Sequence, residues 1–172
     1  MRSLVLGMCL FATACASDMP GSPTSPTSAT AGSAQTEAKG GAQLPFHGSL
    51  QAEETDVVAP PFLLVNGTGS GTATHLGRFT STFTVRVTLA TGSATGNVAF
   101  VAANGDQLDA TFTGQATPTS EPGVVTIEEI ATISGGTGRF ADSTGGFTIH
   151  RVLNQATGVS SGSFDGTLNL GR

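Results

Sequence analysis

The side chains that could do chemistry are few and scattered along this chain. Five polar residues fall near the ends of apolar runs: His75, Arg78, Asp106, Gln107 and Arg139. They are the candidates for an acid, a base or an anion-holding group. Read structurally, the same residues have a plainer use: Asp106 caps a turn, Arg78 and Arg139 pair with carboxylates at a rim, and His75 packs. The histidines His47, His75 and His150 lack ligand-spaced partners, so no metal is expected. Glu128 and Glu129 are adjacent, and in a regular strand adjacent side chains point to opposite faces, so they cannot act as one acid–base pair without a bulge. Gly67-x-Gly69-x-Gly71 has the look of a phosphate loop, but no helix start follows it. No cofactor is expected.

The remaining reactive residue is Cys15. Before it stand Arg2, an apolar run from Leu4 to Phe11 and the small residues Ala12-Thr13-Ala14, the pattern of a secretory signal. The apolar run is well short of the roughly 20 residues a bilayer-crossing helix needs. Ala12-Thr13-Ala14-Cys15 resembles the lipobox of bacterial lipoproteins, which implies cleavage after Ala14 and acylation, including palmitate-type chains, on Cys15. Several acyl chains anchor a protein durably, at about 0.8 kcal/mol per buried CH₂. An ordinary signal-peptidase site leaving a free thiol is the alternative. Either reading places the protein outside the cytoplasm, secreted or on a membrane, with the outer membrane favoured where there is one. Cys9 falls within the signal, so the mature chain has no disulfide.

Residues 15–43 are rich in Ser, Thr, Pro, Ala and Gly, with prolines at 20, 23 and 26. Such a segment buries too little to fold and reads as a spacer. The 172-residue chain carries a formal charge of −5, and beyond Leu44 it has no lysine. That disfavours nucleic-acid binding through a basic face.

Residues 44–172 are long enough for one core. Their apolar residues recur with period two, most clearly at Phe79, Phe83, Val85, Val87 and Leu89. Similar alternation at Phe46–Leu50, Val98–Ala102, Leu108–Phe112, Val125–Ile127, Phe147–Ile149 and Phe164–Leu170, with the run Phe62–Val65, predicts about eight strands, and a bulge before Ile133. Turns are expected at Asn66-Gly67, Asn104-Gly105-Asp106, Pro122-Gly123, Gly135-Gly136 and Gly145-Gly146. The predicted fold is all-β, an eight-stranded antiparallel barrel, with a β-sandwich as the alternative.

Ile133-Ser134-Gly135-Gly136-Thr137-Gly138-Arg139-Phe140-Ala141, followed by Gly145-Gly146-Phe147, resembles the glycine turn of the allene oxide cyclase and dirigent-type barrels. Asn104–Gly114 resembles the hairpin that precedes this turn, and Thr72–Thr80 a segment of bacterial relatives. The resemblance implies a barrel with an interior site for an apolar small molecule and no cofactor. It transfers no catalytic residue, because Tyr and Trp are absent and the domain from Leu44 onward has no Cys. Three functions follow as expectations. The first is a membrane-tethered protein whose barrel binds an apolar small molecule. The others are a cofactor-independent cyclase or isomerase, and a non-catalytic envelope or adhesion module whose barrel is filled by phenylalanine. The balance leans away from an enzyme. An open interior of several hundred Å³ would favour the first two functions, and an inward Glu or His of shifted pKa the cyclase. The oligomeric state is left open.

Overall fold

The computed structural model describes residues 42–171. The signal segment, Cys15 and nearly all of the expected spacer lie outside the described residues. Eight antiparallel strands follow one another around a closed barrel: β1 (Gln43–Ala59), β2 (Phe62–Ala73), β3 (Gly77–Thr88), β4 (Ser93–Ala102), β5 (Gln107–Pro118), β6 (Val124–Gly136), β7 (Thr144–Asn154) and β8 (Val159–Asn169). The last strand pairs with the first, so no sheet edge is left unpaired. Passing from Thr55 to its neighbour on each strand in turn returns to β1 at Pro45, an offset of ten residues. That stagger tilts the strands, as closure requires.

The period-two pattern is what builds this wall. In β6 Val125, Ile127, Glu129, Ala131 and Ile133 are buried while the residues between them are exposed. At the end where β1 begins, the rings of Phe46, Phe79, Phe100, Phe147 and Phe164 meet with centroids 5.1–6.2 Å apart. Edge and tilted contacts of this kind add roughly 0.5–1.5 kcal/mol per pair to the burial of the rings. Leu76 from the β2–β3 turn and Phe140 from a 3₁₀ turn (Gly138–Phe140) join this core and fill that end.

Several sequence expectations need correction. Asn66-Gly67 is not a turn; both residues lie within β2, and Gly67-x-Gly69-x-Gly71 is that strand's inward phase. Gly67 stands opposite Phe83 and Gly71 opposite Phe79, and a Cβ at Gly67 would run into the Phe83 ring. Glycine is used here because a strand must leave room for its neighbour's aromatic ring. Gly145-Gly146 likewise lies inside the opening of β7, and Gly135-Gly136 at the close of β6, rather than in turns. The β5–β6 register shift falls between Asp109 and Ala110, opposite the step from Gly135 to Ile133, so the bulge follows Ile133. Turns do form at Asn104-Gly105 and Pro122-Gly123. All eight strands were anticipated, but β1 and β2 run well beyond the short segments expected.

Candidate functional site in the barrel interior

Strand phase also points charged side chains inward. Glu54 on β1, Glu129 on β6, Arg151 on β7 and Ser160 on β8 each occupy a position that continues the apolar inward face of its strand. They meet inside the barrel. Arg151 grips Glu129 with two bonds, Nε donating to Oε2 at 3.2 Å and Nη2 to Oε1 at 3.0 Å. Its Nη1 donates to Glu54 Oε2 at 2.8 Å and to Ser160 Oγ at 3.2 Å. The guanidinium lies 5.5 Å from the centroid of the Phe83 ring, which adds a cation–π contact. Glycines make the space: Gly162 stands opposite Arg151 and Gly114 opposite Glu129.

The side chains of Arg151, Glu129 and Glu54 are 6 %, 4 % and 4 % exposed. Taking such charges out of water costs several kcal/mol per ion, which only pairing and hydrogen bonding recover. Burial raises the Glu54 carboxyl above its ordinary value. Arg151 pulls it back, but Asp56 and Glu129 add to the rise, and the net direction is upward. Burial by itself would lower Arg151, yet Glu129 and then Glu54, by charge and hydrogen bond, outweigh it and hold the guanidinium firmly charged.

Next to this cluster lies a cavity of about 30 Å³, lined by Ser81, Glu129 and Arg151 and by Phe83, Phe100 and Phe112 among its apolar walls. It has room for about two water-sized groups. Ser81 is 5 % exposed and lines this cavity. The arrangement can therefore hold a proton on Glu54, keep a fixed cation in place, and offer a hydroxyl and a carboxylate to a very small guest.

The five candidates from the sequence all lie at the opposite, aromatic-filled end. Asp106, Gln107 and Arg139 come together there: Arg139 Nε stands 3.5 Å from Asp106 Oδ2, Asn104 donates to the same carboxylate at 2.8 Å, and Gln107 donates to Asp109 at 2.7 Å. Arg139 also lies over the Phe140 ring at 4.8 Å. Asp106 pairs with Arg139 of the 3₁₀ turn, as the structural reading of these two residues expects. Arg78 is exposed and forms no ion pair among the described residues. His75 does not pack; it is exposed in the β2–β3 turn at φ 64°. Neither reaches the interior. Glu128 and Glu129 do point to opposite faces, Glu128 lying outside with Oε2 3.6 Å from His150 Nδ1.

Arg151 and Glu54 were missed from the sequence. The signal was present in their phase: Arg151 continues Phe147 and Ile149, and Glu54 continues Leu50 and Ala52. No protein-family model, curated protein or solved structure matches this chain.

Proposed function

We propose that this chain is a lipid-anchored, extracytoplasmic module with a filled, non-catalytic barrel that works through its outer wall in the cell envelope. One observation carries this reading: the aromatic cluster and the buried ion cluster occupy the interior and leave about 30 Å³ beside them. Sites for ligands of drug size are about 300–1,000 Å³. Around this core the outward phase is polar on β3 and β5, mostly Thr, with Arg78 and Arg86 on the first and Gln107, Asp109 and Gln115 on the second. The lipobox at Cys15 and the proline-bearing spacer support a tether that holds the barrel clear of its membrane. The glycine turn that resembles the allene oxide cyclase and dirigent-type barrels supports a shared architecture, and architecture carries no activity by itself.

Native mass spectrometry of the full chain, purified from its own organism, tests the proposal. The expected mass is that of the chain cleaved before Cys15 plus a covalent acyl increment that survives denaturation, with no uptake of apolar probe ligands. A reproducible extra few hundred daltons lost on denaturation would overturn the filled barrel and favour a bound apolar molecule.

A second reading, a cofactor-independent cyclase or isomerase, is favoured by the inward Glu54 with its raised pKa beside a fixed cation. Those are the proton donor and charge-stabilising group such a reaction needs. Turnover would have to admit a substrate through the end of the barrel bearing Val58 and Leu63, and displacement of Phe83 would be required to enlarge the chamber.

A further inference from the structure

We infer that the free length of β1 from Thr55 to Ala59 is a pairing edge for a second copy of this chain, which adds its own β1 antiparallel about a two-fold axis at Val57. Closure gives every strand two neighbours, but the strands do not end level. β1 pairs with β2 as far as Ala59 and with β8 only as far as Glu53. The Glu54 N–H donates to the Gly158 carbonyl at 2.9 Å, and there the cover from β8 and its turn stops. Backbone groups alternate sides along a strand, so the N–H and C=O of Asp56 and Val58 face the same way as the Glu54 N–H. Among the described residues no backbone partner meets them.

The fold treats the two free lengths of β1 differently. At its start, residues 43–47 outrun β2, and Thr74 closes that side. The Thr74 N–H donates to the His47 carbonyl at 2.9 Å, while its hydroxyl accepts from the His47 N–H at 3.1 Å and donates to the Pro45 carbonyl at 3.0 Å. Protected edges carry a cover of this kind, or a proline, a lysine or a bulge. Thr55-Asp56-Val57-Val58-Ala59 has none of these and pairs with β2 in unbroken register. It is rich in β-branched residues and leaves Val57 59 % and Val58 65 % exposed.

The residues themselves choose the occupant and the register. In a two-fold antiparallel pair, edge-facing residues meet edge-facing residues, so within this length the axis falls at Asp56, Val57 or Val58. An axis at Asp56 sets two carboxylates opposite each other, which repels. An axis at Val58 sets Asp56 against Pro60, which has no N–H to give. An axis at Val57 fills the free length from end to end, with Thr55 against Ala59, and lets Asp56 and Val58 exchange both of their bonds across it. Val57 stands opposite the exposed Leu64 of β2, so these two residues and their equivalents in the second copy form one apolar row. Pro60 and Pro61 then turn each chain back into its own β2. The pair uses up the edge, so it closes as a dimer and does not grow into a fibre. Its short interface makes it a concentration-dependent contact. The spacer enters at the other end of β1, so the pairing stands with or without a lipid anchor.

The full chain carrying Val57→Cys, oxidised with copper phenanthroline on the cells that make it, tests the inference, with Thr113→Cys on the exposed phase of β5 as the control. Peptide mass spectrometry should find position 57 linked to position 57 of another copy at least about tenfold more often than position 113 to itself, because pairing in register raises the local concentration of the thiol. A second readout leaves the edge unaltered: as the purified full chain is concentrated, hydrogen exchange should slow at the Asp56 and Val58 amides and stay constant at those of Val57 and Ala59, which face β2. Val57→Lys, which sets like charges across the axis, should abolish that slowing. Equal linkage at the two positions, or Asp56 and Val58 amides that exchange at one rate at every concentration, would overturn the inference. A link from position 57 to a different protein, in place of the 57–57 peptide, would overturn the second copy as the occupant.

Discussion

Arg151→Met is the sharpest test of the buried ion cluster, because it keeps much of the side-chain length and apolar stem while deleting the charge. It would leave Glu129 and Glu54, each with a side chain 4 % exposed, facing one another without a counter-ion. Removing one partner of a buried ion pair costs about 3–5 kcal/mol. Since two carboxylates depend on this one guanidinium, the loss at pH 8 should fall at the upper end of that range. The sign of the pH dependence follows from the stranded carboxyls. Burial already raises the Glu54 carboxyl, and the substitution removes the opposing pull of Arg151, so the folded state binds an extra proton there. That contribution to stability is complete below the unfolded value and is lost as pH rises through the raised one. The cost of the substitution should therefore shrink by about half or more between pH 8 and pH 4.5. The chain has neither Trp nor Tyr, so urea unfolding is best followed by far-ultraviolet circular dichroism, with calorimetry as a check. A loss below about 1 kcal/mol at pH 8, the size of an exposed ion pair, would refute the argument that this cluster is buried and mutually dependent. So would an equal loss at both pH values.

Three further outcomes are expected. Glu54→Gln should gain stability relative to the native chain on going from pH 4.5 to pH 8 in paired urea titrations, because burial raises the native carboxyl and its favourable contribution fades as pH rises through the shifted value. Gly67→Ala should cost about 1–3 kcal/mol by calorimetry, since the new methyl group takes space held by the Phe83 ring and one of the two must move. Ser143→Ala should be neutral or stabilising by up to about 1–2 kcal/mol in urea unfolding, because the native hydroxyl is buried without a hydrogen-bond partner.

The two ends of the barrel were unequally legible. The aromatic end could be anticipated because Phe79, Phe100, Phe147 and Phe164 each lie in a strand whose apolar residues alternate cleanly. The pairing of Asp106 with Arg139 was legible too, although Gly135-Gly136, expected as a turn, closes β6. The functional candidates were sought at strand ends, however, and the structure assembles its buried charges mid-strand. Arg151 is one of five arginines beyond Leu44, and Glu54 stands directly after Glu53. A charge on the apolar phase of a strand was the available clue.

By itself the sequence determined the all-β class, the number of strands and which side of each strand is apolar, because alternation is a local property that each segment states independently. The expectation of an export signal likewise rests on local residues, Arg2, the apolar run and Cys15. Only the tertiary structure decided how the interior is filled. Glu54 and Arg151 are 97 positions apart and become partners because β8 closes on β1 and sets their side chains to converge. Register does the same for each glycine that seats a neighbour's ring or charged side chain, as Gly67 does for Phe83 and Gly162 for Arg151. Long-range pairing, stagger and closure are collective properties of the whole barrel. No single segment encodes them.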